Sequence, residues 1–276
     1  MQAVFRCGRF QFELDRPLVM GIVNATPDSF SDGGLHATAE QAIAHGLRLR
    51  EEGADILDIG GESTRPGATP VGEQEELDRV LPVLAGLRGC GAALSIDTMK
   101  PAVMAAALAD GVDLVNDVNA LRSPGALAAV AASDCGVCLM HMQGTPQTMQ
   151  SDPHYNDVVA EVVEFLQGRM EAAIQAGINR DQLLVDPGFG FGKKKAHNLA
   201  LFEALPRITA VAPVLVGLSR KSLFGELTGR SAHERTIASV TAAVLAAMHG
   251  AAVLRVHDVA ATVDALKVLE ALGPKS

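Results

Sequence analysis

The feature that most constrains this chain is a short run of apolar, largely β-branched residues that recurs along it, each time ended by a polar residue or glycine. Such runs occupy 18–23, 56–59, 94–96, 114–115, 137–140, 183–185, 214–216 and 253–256. A strand that is apolar at every position is buried on both faces, as in a parallel sheet covered by helices. Helical spacing fills the intervals. Leu77, Val80, Leu81, Leu84 and Leu87 recur every three or four residues, and so do Val159, Val162, Val163, Leu166, Met170, Ala173 and Ile174 before a stop at Gly177. Thr38-Ala39-Glu40-Gln41 reads as a capping box opening a helix that closes at Gly53. Eight strand–helix units follow one another with no compositional break, which predicts an α/β fold: a (β/α)8 TIM barrel forming a single domain over 1–276. Residues 4–14 alternate weakly around Gly8-Arg9, which predicts an N-terminal β-hairpin (1–16) closing the bottom of the barrel. An open, doubly wound sheet is the alternative. The absence of Gly-x-Gly-x-x-Gly after the first run weighs against it.

Composition excludes several function classes. Hydrophobic residues make up 48% and charged residues 20%, ample for a core. A net charge of −9, with 4% aromatics and no Trp, argues against a nucleic-acid partner. No apolar run approaches the roughly 18 residues that span a bilayer. The N-terminus lacks a basic-then-apolar signal, so the expected location is cytoplasmic, with no membrane partner. Cys135-Gly136-Val137-Cys138 has no second pair and reads as two buried thiols rather than a zinc site; Cys7 and Cys90 are isolated. His36, His45, His154, His197, His233 and His249 show no metal-ligand spacing, and Lys193-Lys194-Lys195 reads as a solvated basic loop.

In a barrel the C-terminal ends of all strands share one rim, where sites are built. The residues following the runs are Asn24, Glu62-Ser63-Thr64-Arg65, Asp97, Asn116-Asp117, His141, Asp186, Ser219-Arg220-Lys221 and Arg255-Val256-His257. One Asp or Asn after a strand is ordinarily a helix cap. A polar residue after every strand asks for another explanation. Arg65, Lys221, Arg255 and His257 form a cationic group suited to phosphate or pyrophosphate, with Arg255 and His257 two apart and on one side of their strand. Asn24 offers a neutral oxygen suited to Mg²⁺ held mainly by substrate phosphate. Asp97, Asn116 and Asp186 combine acceptors with an amide and suit the amino-oxo edge of a pterin or guanine-like ring. The glycine-rich turn Pro187-Gly188-Phe189-Gly190-Phe191-Gly192 lets a flat ring approach the backbone. His141 reads as a supporting residue behind the rim. Two long loops, 24–36 and 60–72, read as lids.

At these residues the sequence resembles the dihydropteroate synthases, the sulfonamide-targeted family of folate biosynthesis. The resemblance rests on the motifs 20–34 (MGIVNATPDSFSDGG), 58–67 (DIGGESTRPG) and 95–98 (SIDT). It continues through Asn116-Asp117, Met140-His141-Met142, 186–193 (DPGFGFGK), 219–222 (SRKS) and 255–259 (RVHDV). It implies a homodimeric barrel that condenses p-aminobenzoate with a dihydropterin diphosphate in the presence of Mg²⁺. It further implies that Asp97, Asn116, Asp186 and Lys221 hold the pterin, and that Asn24, Arg255 and His257 handle Mg²⁺ and pyrophosphate. Thr64, Arg65 and Pro66 then lie on a loop over the diphosphate and aminobenzoate, with Ser219 and Phe30 toward the aminobenzoate and Phe191 among the substrate contacts. The catalytic assignments fall on Arg255, His257, Lys221 and Asp97. Ala25 and Lys194 depart from the usual pattern, which bears on loop packing. Replacing Arg255 or His257 is expected to cut turnover with little loss of folding. Three other readings use parts of this set: a pterin-dependent methyltransferase, a lyase with Lys221 as a Schiff-base amine, and a non-catalytic pterin carrier.

Overall fold

The computed structural model describes residues 3–26, 35–64 and 67–273. A hairpin of β1 (Val4–Cys7) and β2 (Phe10–Glu13) leads the chain. The barrel strands are β3 (Leu18–Asn24), β4 (Ile56–Gly60), β5 (Ala93–Asp97), β6 (Leu114–Asp117), β7 (Gly136–Met140), β8 (Leu183–Asp186), β9 (Leu215–Val216) and β10 (Val253–Val256). From β3 to β8 each pairs in parallel with its sequence neighbour, β9 pairs with β10, and β10 returns to pair with β3. A parallel bridge from Val185 to Val214, with the Val185 amide on the Pro213 carbonyl at 3.1 Å, closes the gap between β8 and β9. The predicted (β/α)8 barrel is therefore present.

The outer helices are α1 (Leu35–Glu51), α2 (Glu73–Leu87), α3 (Pro101–Ala109), α4 (Ala126–Ala131), α5 (Val158–Gln175), α6 (Lys195–Glu203), α7 (Leu205–Thr209), α8 (Ser222–Thr228), α9 (Thr236–Met248) and α10 (Val259–Leu272). The apolar stripe on α2 lies where its spacing predicts, with Leu77 and Leu81 half-buried, and that on α5 holds through Ala173, whereas Ile174 is exposed. Asp157 caps α5, accepting from the Val159 and Ala160 amides. Helix α1 differs from expectation: it opens at Leu35, three residues before the predicted cap Thr38, which becomes an interior helical residue.

Alternation along the strands divides the barrel interior into two levels. Toward the N-terminal ends, Leu18, Met20, Ile56, Ala93, Leu114, Cys138, Leu184, Leu215 and Val253 form a closed apolar plug with Phe5 and Cys7 of the hairpin. The hairpin thus seals the bottom as predicted, since side chains two apart on a strand share a face. Asp113, nearly fully buried, pins the hairpin turn by accepting from Arg9 through its backbone amide and its guanidinium. The four cysteines are free thiols, with Cys7, Cys135 and Cys138 buried. One step higher, the same inward positions become polar.

Candidate active site

Two residues above Ile56, Asp58 faces the same interior and is fully buried. It accepts from Ser95 Oγ at 2.5 Å, Asn116 Nδ2 at 3.0 Å and Arg255 Nε at 2.6 Å. A carboxylate only accepts, so Asn116 must turn its NH₂ to Asp58. Its carbonyl oxygen then has no partner among the described residues. Arg255 reaches across with Nη2 to Asp97 at 2.7 Å. One guanidinium thus lies between two carboxylates from β4 and β5. Burial pushes the Asp97 carboxyl up from 3.8 to about 7, and nearby Asp58 pushes the same way while Arg255 pulls it down. Asp58 is the residue that reading past the strand ends misses. Its signal lay inside a run: an Asp at the parity of Ile56 in a strand otherwise apolar.

On the opposite wall, Asp186 is buried and accepts from the Gly188 amide at 2.7 Å. Burial raises its pKa, against the pull of Lys221. Gly217 lies between the two walls: a Cβ there would stand 3.9 Å from both the Arg255 side chain and Asp186 Oδ2. Asp97, Asp186 and Arg255 therefore open onto one mouth. Lys221 Nζ donates to the Phe189 carbonyl and stands 4.2 Å from the Phe191 ring centroid. Its burial pushes the ammonium down to about 8. Arg220 adopts φ +58° and pairs with Asp258. A left-handed non-glycine residue is uncommon, and here it separates Ser219 from Lys221 in the turn after β9.

The shallow side of the mouth holds His257 and Asn24. His257 Nδ1 and Ser219 Oγ are 3.0 Å apart, and the His257 amide donates to the same oxygen at 3.2 Å. Asn24, half-buried at the end of β3, has no side-chain hydrogen bond among the described residues. Among those residues no group of three His, Cys, Asp or Glu side chains is arranged to hold a metal. A single uncommitted amide oxygen beside His257 fits a Mg²⁺ bound mainly through substrate and water.

Several predicted residues fall elsewhere. Phe30, Arg65 and Pro66 lie outside the described residues, as do parts of both predicted lid loops. Thr64 is half-buried after β4. The foot of its loop is tied down by Glu62, which accepts from the Val71 amide at 3.1 Å and from Lys100 at 2.5 Å; Lys100 also binds buried Glu76. Asp117 does not face the mouth. It accepts from the Asn119 and Leu121 amides and holds a turn in which Ala120 and Leu121 are left-handed. His141 likewise lies behind the rim, packed edge-on against Phe165, as a supporting residue would. The β7 side chain at the level of the polar ring is Met140, which joins Met142, Met149 and Val118 in an apolar wall with Met99 and Phe191 against it. Lys193 contradicts its reading as solvated: it is 3% exposed. Lys194 and Lys195 are exposed.

Comparison with known proteins agrees with this geometry. The family profile described as pterin binding enzyme matches residues 20–257. The chain is 53% identical to the dihydropteroate synthase of Neisseria meningitidis serogroup B, over 98% of each chain. It superposes with a TM-score of 0.94 on the Xanthomonas albilineans dihydropteroate synthase with 4-aminobenzoic acid, at 57% identity over 100% of each. It superposes with a TM-score of 0.90 on the Burkholderia cenocepacia dihydropteroate synthase complexed with 7,8-dihydropteroate, at 50% identity over 98% of this chain and 96% of that one. With its polar ring, its barrel and near-complete coverage all in agreement, the chain belongs to the pterin-binding enzymes and, within them, to the dihydropteroate synthase family.

Proposed function

We propose that the chain joins p-aminobenzoate to (7,8-dihydropterin-6-yl)methyl diphosphate, releasing pyrophosphate and 7,8-dihydropteroate. The observation that carries this reading is the meeting of ring-reading groups and phosphate-binding groups in one mouth, with Arg255 bridging them. The ring lies deep, where Asp97, the Asn116 carbonyl and Asp186 meet its amino-oxo edge. Asp58 stays behind them and holds Asn116 and Arg255 in place. A buried polar group left unpaired costs about 1–3 kcal/mol, so a ring lacking the matching edge is rejected. The diphosphate lies shallow, toward His257, Arg255 and Asn24, with Lys221 and Ser219 beside the path to the amine. Thr64, Arg65, Pro66 and Phe30 are assigned to the diphosphate and aminobenzoate by the family motifs that carry them.

The C–O bond between methylene and diphosphate breaks, the arylamine nitrogen bonds to the methylene carbon, and the amine loses a proton. Asn24 would hold Mg²⁺, which supplies charge neutralisation to the leaving pyrophosphate. Arg255 and His257 stabilise the same developing charge directly. Positive charge building on the methylene faces a wall carrying Asp58, Asp97 and Asp186. The arylamine is a sufficient nucleophile, so Lys221 acts as a positioned ammonium and no Schiff base is needed.

The assembly we propose is a homodimer. Among the described residues, Leu227 on α8, Ile237, Leu245 and Met248 on α9, and Val268 and Leu272 on α10 are large apolar side chains left exposed on consecutive helices. Such a face suits a self-complementary contact. No helix among the described residues is long and apolar enough to cross a membrane.

The test is direct. The protein is incubated with the pterin diphosphate, p-aminobenzoate and Mg²⁺, and products are read by mass spectrometry. Dihydropteroate with equimolar pyrophosphate is expected. Bound but intact pterin diphosphate would identify a carrier instead.

A further inference from the structure

The loop from Pro187 to Gly192 runs between β8 and α6 with no strand beside it, so its carbonyls need other donors. Each of five consecutive carbonyls has a side-chain donor. Lys193 Nζ binds the Gly188 carbonyl at 2.9 Å and the Phe191 carbonyl at 3.0 Å. Lys221 binds the Phe189 carbonyl, Gln150 Nε2 the Gly190 carbonyl, and Tyr155 Oη the Gly192 carbonyl at 2.8 Å. Lys193 is the centre of this set. Its third proton goes to His141 Nδ1 at 2.9 Å, with the His141 carbonyl at 3.3 Å beyond it. An ammonium has three donors, and here all three are spent on backbone and imidazole.

The loop has nowhere else to go. Gly188 has φ +68°, and a Cβ there would stand 1.9 Å from the His141 carbonyl oxygen. The β7 loop and the glycine loop are therefore in contact at the point where Lys193 ties them together. Both ends of the tie reach the mouth. Asp186 Oδ1 accepts from the amide of Gly188, whose carbonyl Lys193 holds. Phe191, whose carbonyl Lys193 also holds, lies under the Lys221 ammonium.

We infer that Lys193 is a positioning residue for the reaction: from within the protein, with Tyr155 and Gln150, it fixes the backbone from which Asp186 and Lys221 meet the pterin. This rests on the pterin reading of the mouth. It assigns a role to a residue whose place in a run of three lysines suggests only a solvated loop. Lys193 touches no substrate in this account; it acts through the carbonyls of Gly188 and Phe191.

The experiment compares the parent with Lys193→Met, Lys193→Arg, Tyr155→Phe and Gln150→Ala. Titration calorimetry with the pterin diphosphate alone gives Kd, and steady-state kinetics give kcat and both KM values. Lys193→Met is expected to raise the pterin diphosphate Kd at least tenfold in protein that remains folded, with partial recovery in Lys193→Arg. Tyr155→Phe and Gln150→Ala each remove one tie and are expected to raise it two- to fivefold. Tyr155 is the one tyrosine in a chain without tryptophan. Its near-UV dichroism therefore reports loop order, and should change in Lys193→Met before any ligand is added. A folded Lys193→Met with Kd and KM within twofold of the parent overturns the inference. Should Lys193→Met not fold, unchanged Kd in both Tyr155→Phe and Gln150→Ala overturns it equally. A parent that releases no pyrophosphate would overturn the proposed reaction instead, so the two failures are distinct.

Discussion

Replacing Arg255 by Met tests how the ring-reading wall is built. The guanidinium is the shared counter-charge of Asp58 and Asp97, at 2.6 and 2.7 Å. The sequence alone predicts that this change spares folding; the contacts with fully buried Asp58 and half-buried Asp97 argue otherwise. Removing one partner of a buried pair costs about 3–5 kcal/mol, because the other charge stays buried. Ser95 and Asn116 still satisfy Asp58, and Asp97 can take a proton because burial already holds its pKa near 7. These features place the cost at the lower end, about 3 kcal/mol. For a chain of this length that is a fall in Tm of roughly 6 °C. The double variant Arg255→Met/Asp58→Asn removes the orphaned charge, so its cost should fall short of the sum of the singles by about 2 kcal/mol. Urea unfolding of the parent, both singles and the double variant measures this. Additivity within about 0.5 kcal/mol would refute the shared-charge reasoning. Turnover should be strongly reduced in all three variants.

Asp186→Ala should weaken pterin diphosphate binding about 10- to 100-fold by calorimetry, the loss of a charge-assisted hydrogen bond worth roughly 1.5–3 kcal/mol. Phe5→Ala empties the plug beneath the barrel and should cost about 3–5 kcal/mol of stability. Because that plug is at the opposite end from the mouth, kcat/KM at low temperature should stay within about twofold. Burial and the Lys193 ammonium hold the His141 imidazole down to about 3 from 6.5. Between those values the unfolded chain binds a proton at His141 that the native one does not, so His141 makes stability fall as pH drops, by up to about 1.4 kcal/mol per unit, while Asp97 and Asp117, which burial raises to about 7 and about 6, act in the opposite sense. Urea midpoints at pH 7, 6 and 5 should show a shallower slope for His141→Asn. An equal slope would remove His141 as the source, leaving His45 and His197, which burial lowers in the same sense.

The fold was legible because a parallel barrel writes itself as continuous apolar runs, and the hairpin because Phe5 and Cys7 share a strand face. The rim was legible at Asn24, Asp97, Asn116, Asp186, Arg255 and His257, all at inward parity on their strands. Position after a run is not sufficient without parity. Reading by position passes over Asp58, and it counts Asp117 among the rim residues although its parity turns it away. Lys193 was misread because charge in a lysine triplet predicts solvent, whereas five carbonyls without a ladder create a demand for buried donors that no local pattern announces. Helix α1 opens before Thr38 because helix ends depend on what packs against them, which propensity does not encode.

A crystal structure of the protein with the pterin diphosphate shows where ring and diphosphate lie. The ring is expected between Asn116, Asp97 and Asp186, with the diphosphate reaching His257 and Asn24. The contradicting result is a ring seated away from Asp58 and Arg255. One such place is the outer part of the groove of about 780 Å³ that starts at Asn24 and His257 and continues past Gln41, Arg48 and Glu52 of α1 and Thr236 and Ala261.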